Sequence, residues 1–185
     1  MTMKITFVTL ILVLSVIWLL VRVCIRCKNK RVDWRREGQL FVVYLCTVVV
    51  VRLTFFPFSR VDGQIQPLMF DAAQMLAPRI NVLPFVYLFD YPTTGEILLN
   101  VIGNSVLFLP YGIVFPIVFR ALNSPQKVIA AGVGTSLCIE ILQLPFYDRV
   151  SDIDDLILNT LGYLIGYGIY CLIKRCRNKK QTTMI

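Results

Sequence analysis

Residues 97–119 read ILLNVIGNSVLFLPYGIVFPIVF, 23 positions without a charge. A helix of that length covers a hydrocarbon core of about 30 Å. Pro110 and Pro116 lie inside it, and each frees a backbone carbonyl and tends to kink the helix. Such kinks are tolerated where neighbouring helices of a bundle resatisfy the freed groups. The stretch therefore predicts a membrane-spanning helix. Working outward, similar runs occur at Ile5–Val21, Leu40–Phe58, Val128–Phe146 and Leu156–Ile173. The five runs hold 96 residues but only two of the 30 charged ones, Arg52 and Glu140.

Composition agrees. Of 185 residues, 57% are hydrophobic and 16% charged, and the mean hydropathy is +0.70. An ordinary soluble domain has roughly 45–50% apolar and about 25% charged residues. The expected fold is all-α, a polytopic transmembrane bundle of about five spans, with an outer loop containing a short interfacial or re-entrant segment. Its parts are an N-terminal anchor with a basic loop (1–39), a membrane domain (40–173) and a basic tail (174–185).

The net charge of +8 follows topology rather than a nucleic-acid surface, and no nucleic-acid recognition motif is present. Lys and Arg in short loops mark the cytoplasmic side. Placing the loop after the first run and the tail inside brings Arg120 and Lys127 inside as well, giving 14 basic residues inside against four outside. The expected topology is thus N-terminus outside and C-terminus inside, with membrane lipid as a partner. Eight acidic residues then lie outside and two inside. The first run has one preceding basic residue, Lys4, and no small-x-small cleavage site, so it reads as an anchor rather than a removable signal. Cys24, Cys27, Cys46, Cys138, Cys171 and Cys176 fall in spans or inside, so no disulfide framework is expected. Cys24-x-x-Cys27 has neither a second pair nor a histidine to complete a zinc site.

Pro57 suits the end of the second span. In the outer segment from Ser59 to Glu96, Asp62–Gln66 reads as coil. Pro67–Ala77 reads as a short interfacial helix with Leu68, Met69, Met75 and Leu76 against lipid. Tyr87, Phe89 and Tyr91 before Pro92 suit the headgroup layer.

Polar residues inside apolar spans are costly and usually face a bundle interior or a water-filled cavity. Here they recur at helical spacing: Asn100 and Asn104; Ser136, Glu140 and Gln143; Asp155, Asn159, Gly162 and Gly166. In this topology Asn100, Asn104, Glu140, Gln143, Asp155, Asn159 and Arg52 lie within roughly two turns of the outer surface. They outline an outward-opening polar pocket, floored by Glu140 and Arg52 and rimmed by Arg149, Asp152, Asp154 and Asp155. A plainer alternative pairs Glu140 with Arg52 and leaves the amides to interhelical hydrogen bonds. Asp152 and Asp154 also suit the cap and first turn of a helix. Gly162-x-x-x-Gly166 predicts close helix packing within the chain.

Four motifs in order carry a resemblance. These are Asn81-x-x-Pro84-Phe85; Asn100…Asn104-x-x-x-Phe108-x-Pro110-x-Gly112; Ser136-x-x-x-Glu140-x-x-Gln143; and Arg149-x-x-Asp152-x-Asp154-Asp155-x-x-x-Asn159-Thr160-x-Gly162-x-x-x-Gly166. Together they resemble the VanZ-like family of bacterial integral membrane proteins associated with teicoplanin resistance, over about Leu40–Ile173. The resemblance implies a cytoplasmic-membrane protein, in some members lowering susceptibility to glycopeptide or lipoglycopeptide antibiotics, with no established catalytic activity and no cofactor. The expected function is modulation of that susceptibility through the polar pocket, with a lipid-tailed glycopeptide as ligand. One alternative is an enzyme acting on a lipid-linked envelope precursor, with Glu140, Asp152, Asp154 and Asp155 as candidate oxygen ligands for Mg²⁺ or Ca²⁺. That alternative lacks any histidine, the commonest general acid/base. Another is a small oligomeric transporter, for which no inverted repeat is visible.

Overall fold

The computed structural model describes residues 2–29, 32–56, 60–61, 63–86, 93–122 and 124–182. Pro57, Asp62, Tyr87, Phe89, Tyr91 and Pro92, read above as parts of a helix end, a coil and an aromatic layer, lie outside the described residues.

Five helices form among the described residues, one over each apolar run: α1 (Phe7–Asn29), α2 (Trp34–Phe55), α3 (Thr94–Val118), α4 (Pro125–Gln143) and α5 (Ile153–Thr182). Their starts follow local chemistry. Asp33 caps α2, its carboxylate accepting from Arg35 N at 3.0 Å and Arg36 N at 3.2 Å, and the Thr93 hydroxyl caps α3 by accepting from Glu96 N at 3.3 Å. By length and composition α1, α2, α3 and α5 can each cross a membrane. The 19-residue α4 is not among them, because polar groups load both of its ends, Gln126 and Lys127 at one, Glu140 and Gln143 at the other.

The chain divides into two compact units. The first comprises Met1–Ile80 and Ile141–Ser151. In it α1 and α2 form an antiparallel pair, joined by Ser15 Oγ and Tyr44 OH at 2.6 Å, by Trp18 against Tyr44 with ring centroids 5.2 Å apart, and by an Arg22–Glu37 ion pair. Residues just before α1 form β1 (Thr2–Ile5), which pairs antiparallel with β4 (Leu68–Asp71), Thr2 opposite Asp71 and Ile5 opposite Leu68. Between them in sequence, β2 (Arg60–Val61) and β3 (Gln64–Ile65) make a small hairpin, whose turn uses Gly63 at φ 73.

This corrects the expected interfacial helix over Pro67–Ala77. Its first half is strand β4 and only Ala72–Met75 forms a 3-10 turn, capped by Asp71. Leu68, expected against lipid, is 2% exposed. The reason is partnership: β1 supplies one row of backbone hydrogen bonds to β4, and the segment after α4 supplies more, Tyr147 N donating to Met69 O and Asp71 N to Pro145 O, both at 2.9 Å. A short segment offered two extended neighbours satisfies its peptide groups better as strand than as an isolated helical turn.

The second unit comprises Asn81–Glu140 and Asp152–Ile185. Its frame is α3 packed along α5 in parallel, so that Ser105 meets Gly162 and Leu109 meets Gly166. A Cβ on Gly162 would overlap Ser105 O, one on Gly166 would overlap Leu109 O, and one on Gly112 would overlap Tyr163 O. The two backbones are therefore in van der Waals contact along this seam. Phe108, Tyr111, Leu158 and Tyr163 form the buried core of the unit, with Tyr163 edge-on to Phe115 at 5.9 Å and lying against Gly132 of α4.

Candidate functional site

Of the residues expected in the pocket, Arg52, Gln143 and Arg149 lie in the first unit, and there they serve one task. The last turn of a helix leaves carbonyls without intrahelical donors. At the end of α2, Gln143 Nε2 donates to Thr54 O at 2.7 Å. Arg149 donates to Phe55 O through Nη2 at 2.7 Å and through Nε at 3.1 Å. Arg52 Nη1 donates to Phe56 O at 3.1 Å. Two guanidinium groups and one amide thus cap three successive carbonyls, where cations also complement the helix dipole. In an apolar surrounding, where an unmet carbonyl costs several kcal/mol, such capping is what permits α2 to end. Arg52 also lies over the Phe7 ring, 5.8 Å from its centroid.

The other expected residues, Asn81, Pro84, Phe85, Asn100, Asn104, Glu140, Asp152, Asp154, Asp155 and Asn159, fall in the second unit. Around the start of α5 their hydrogen bonds fall into three sets: Asn81, Phe85, Glu140, Asp152 and Asp154; Asn100, Asn104 and Asp155; and Asn159 with Ser136. β5 (Ile80–Asn81) leads into the loop and β6 (Ser151–Asp152) leads into the helix. Asn81 is 9% exposed. Its amide donates from Nδ2 to Asp152 Oδ1 at 3.0 Å, while its own Oδ1 accepts from Leu83 N at 3.1 Å and folds the loop back. Asp152 Oδ1 also accepts from Asp154 N at 2.9 Å, as an N-cap does. Asp152 N in turn donates to Glu140 Oε2 at 3.0 Å.

Phe85 follows Pro84 with φ 63, the left-handed region that a phenylalanine rarely enters. Its N–H donates to Asp154 Oδ1 at 2.8 Å. Asp154 is 5% exposed and Glu140 4%, so both carboxylates are removed from solvent and turned toward backbone N–H donors. One helical position further, Asn104 Nδ2 donates to Asp155 Oδ1 at 2.5 Å and lies 3.4 Å from Asn100 Oδ1. Deeper along the same face of α5, Asn159 Nδ2 donates to Ser136 Oγ of α4 at 3.0 Å.

The positive end of the α5 dipole, the four acidic residues Glu140, Asp152, Asp154 and Asp155 and the Asn81 amide are thus gathered at one end of this unit. What the network leaves unmet lies deeper. Asn159 Oδ1, Thr160 Oγ1 and Tyr163 OH are buried without a hydrogen-bond partner. Tyr163 and Ser136 were outside the expected site set, although Tyr163 stands four residues after Asn159, the spacing that would have placed it on that face. Among the described residues no three acidic or cysteine side chains gather closely enough to hold a metal ion. Glu140, Asp152, Asp154 and Asp155 act instead as acceptors for N–H groups, which gives the proposed Mg²⁺ or Ca²⁺ no prepared site among them.

Comparison with known proteins adds the following. The family model described as VanZ/LLP1 matches residues 41–174. Protein VanZ of Enterococcus faecium is 30% identical over 102 residues, covering 55% of this chain and 58% of that protein. The matched region therefore spans a little over half the length of that relative. No solved structure matches this chain.

Proposed function

The chain belongs to the VanZ/LLP1 family, and from that premise we propose that it is a bacterial cytoplasmic-membrane protein that lowers susceptibility to lipid-tailed glycopeptides. The polar end of the second unit is its working part. The single observation that carries this reading is that Asn81, Glu140, Asp152 and Asp154 of the matched motifs join one hydrogen-bonded set with the Phe85 N–H, and that Asn104 and Asp155 pair on the next position of α5. A network of that kind holds a loop and two helix starts in fixed register, which is what presenting a surface to a bulky polar ligand requires. The apolar flank of such a ligand would meet Phe85 and Val86, which are half-exposed beside it.

Expression of the wild-type chain in a susceptible Gram-positive host tests the proposal. The teicoplanin inhibitory concentration is expected to rise above that of the empty-vector strain. Asp154→Ala, which removes the acceptor of the Phe85 N–H, is expected to return it to the vector value while the protein remains detectable in the membrane fraction. An unchanged concentration with wild-type protein present in the membrane would overturn the reading.

A further inference from the structure

The opposite end of the second unit carries a groove that the network above does not use. Beyond the glycine seam α5 carries Tyr170 and Ile173, which line the groove. Pro116, which cannot donate back to the Gly112 carbonyl, sits on the facing side. The groove is a cavity of about 450 Å³ between the C-terminal part of α3 and the last turns of α5, within the roughly 300–1,000 Å³ of small-molecule sites. Its floor is apolar, built on Ile113, Pro116 and Ile173, and its rim carries Arg120, Lys174 and Arg177.

Charge decides what fits there. The described acidic residues of this unit, Glu96, Glu140, Asp152, Asp154 and Asp155, all belong to the other end, where α3 and α5 begin and α4 finishes. α3 ends beside the groove and α5 ends about one turn beyond it, at Thr182. A helix C-terminus contributes about −0.5 of a charge, which three full cations outweigh. The occupant is therefore an anion. It also has an apolar part, because Ile117 and Leu172 continue the apolar surface exposed along the two helices, and a soluble anion would leave that surface unmatched. Tyr170 adds an amphipathic ring at the boundary, with Lys174 Nζ 5.9 Å from its centroid.

We propose that this groove binds one anionic phospholipid, its phosphodiester held by Arg120, Lys174 and Arg177 and an acyl chain lying on the Ile113–Pro116–Ile173 floor. Basic pockets between membrane helices suit such headgroups, each Lys or Arg near the headgroup strengthening binding about fivefold.

Native mass spectrometry of the full-length chain, extracted in detergent and offered equimolar phosphatidylglycerol and phosphatidylcholine, tests it. The wild-type chain is expected to retain phosphatidylglycerol selectively. Arg120→Gln with Arg177→Gln is expected to lose about 25-fold in that preference, and Arg120→Lys with Arg177→Lys to keep most of it. Arg35→Gln with Arg36→Gln, on α2, is the charge-matched control and is expected to behave as wild type. Helix content by circular dichroism checks that each variant is folded. Equal retention of the two lipids by the wild-type chain would overturn the proposal, as would loss of preference in the α2 control equal to that in the groove variant. Displacement of phosphatidylglycerol by an equal concentration of soluble glycerol phosphate would also overturn it, since the site would then take a free phosphate ester and the floor would play no part.

Discussion

Phe85 is the residue at which the local and the tertiary interests of the chain conflict. A non-glycine residue at φ 63 costs on the order of 1–3 kcal/mol. The hydrogen bond from its N–H to the Asp154 carboxylate returns about 1.5–3 kcal/mol, as bonds to charged acceptors do. The two nearly balance, so the conformation persists because Asp154 is held in place by its own helix. Phe85→Gly removes the backbone strain and keeps the N–H, and is expected to leave the thermal unfolding midpoint in detergent at or above that of wild type. Phe85→Val places a β-branched side chain in the same region and is expected to lower stability by about 1–3 kcal/mol. Equal losses in both variants would mean that the ring, not the backbone, matters. Sequence reading marked Asn81, Pro84 and Phe85 only as part of a resemblance. The strain and its partner 69 positions away are visible only once the loop is folded.

At the scale of elements, α3 and α5 are held by absence of side chains. Gly162, Gly166 and Gly168 look alike in sequence, two of them in one small-x-x-x-small motif. In the fold a methyl group on Gly162 or Gly166 meets backbone of α3, while one on Gly168 meets nothing within 4 Å. Gly162→Ala and Gly166→Ala are therefore each expected to destabilise the protein by about 1–3 kcal/mol, the range for overpacking. Gly168→Ala is expected to stabilise it by about 0.5–1 kcal/mol through helix propensity. Thermal unfolding followed by circular dichroism in detergent checks all three, and a loss at Gly168 equal to that at Gly162 would contradict the seam. The strand pair β1–β4 belongs to the same scale and escaped sequence reading for a different reason. Four residues near one end of the chain pair with four residues at 68–71, and neither segment has enough alternation to announce itself. Arg52, Gln143 and Arg149 were legible as polar residues in or beside apolar helices, but their shared service to the end of α2 was not. Which carbonyls need a donor depends on where the helix stops in three dimensions.

For the whole molecule, charge asymmetry makes a statement about orientation. If α4 crosses along with the other four helices, the basic stretches after α1 and at the end of α5 are expected on one side, the cytoplasmic one. Cys24, Cys27 and Cys176 are exposed at those helix ends, and the expected outer loops carry no cysteine. An impermeant thiol reagent is therefore expected to leave the wild-type chain unlabelled at these positions in intact cells and to label them after permeabilisation. Ala77→Cys, placed in the exposed stretch after the 3-10 turn, is expected to be labelled without permeabilisation. The reverse pattern would invert the orientation, and labelling of Cys176 but not of Cys24 and Cys27 in intact cells would mean that α4 does not cross. The sequence by itself determined the number and position of the helices, because each apolar run is a local property that water rejects along its whole length. It also marked which polar residues share a helix face by their spacing. Only the tertiary structure decided what each of those residues does. Asn81 meets Asp152 across 71 positions and Gln143 meets Thr54 across 89, and a hydrogen bond is satisfied by whichever donor the packed helices bring within about 3 Å.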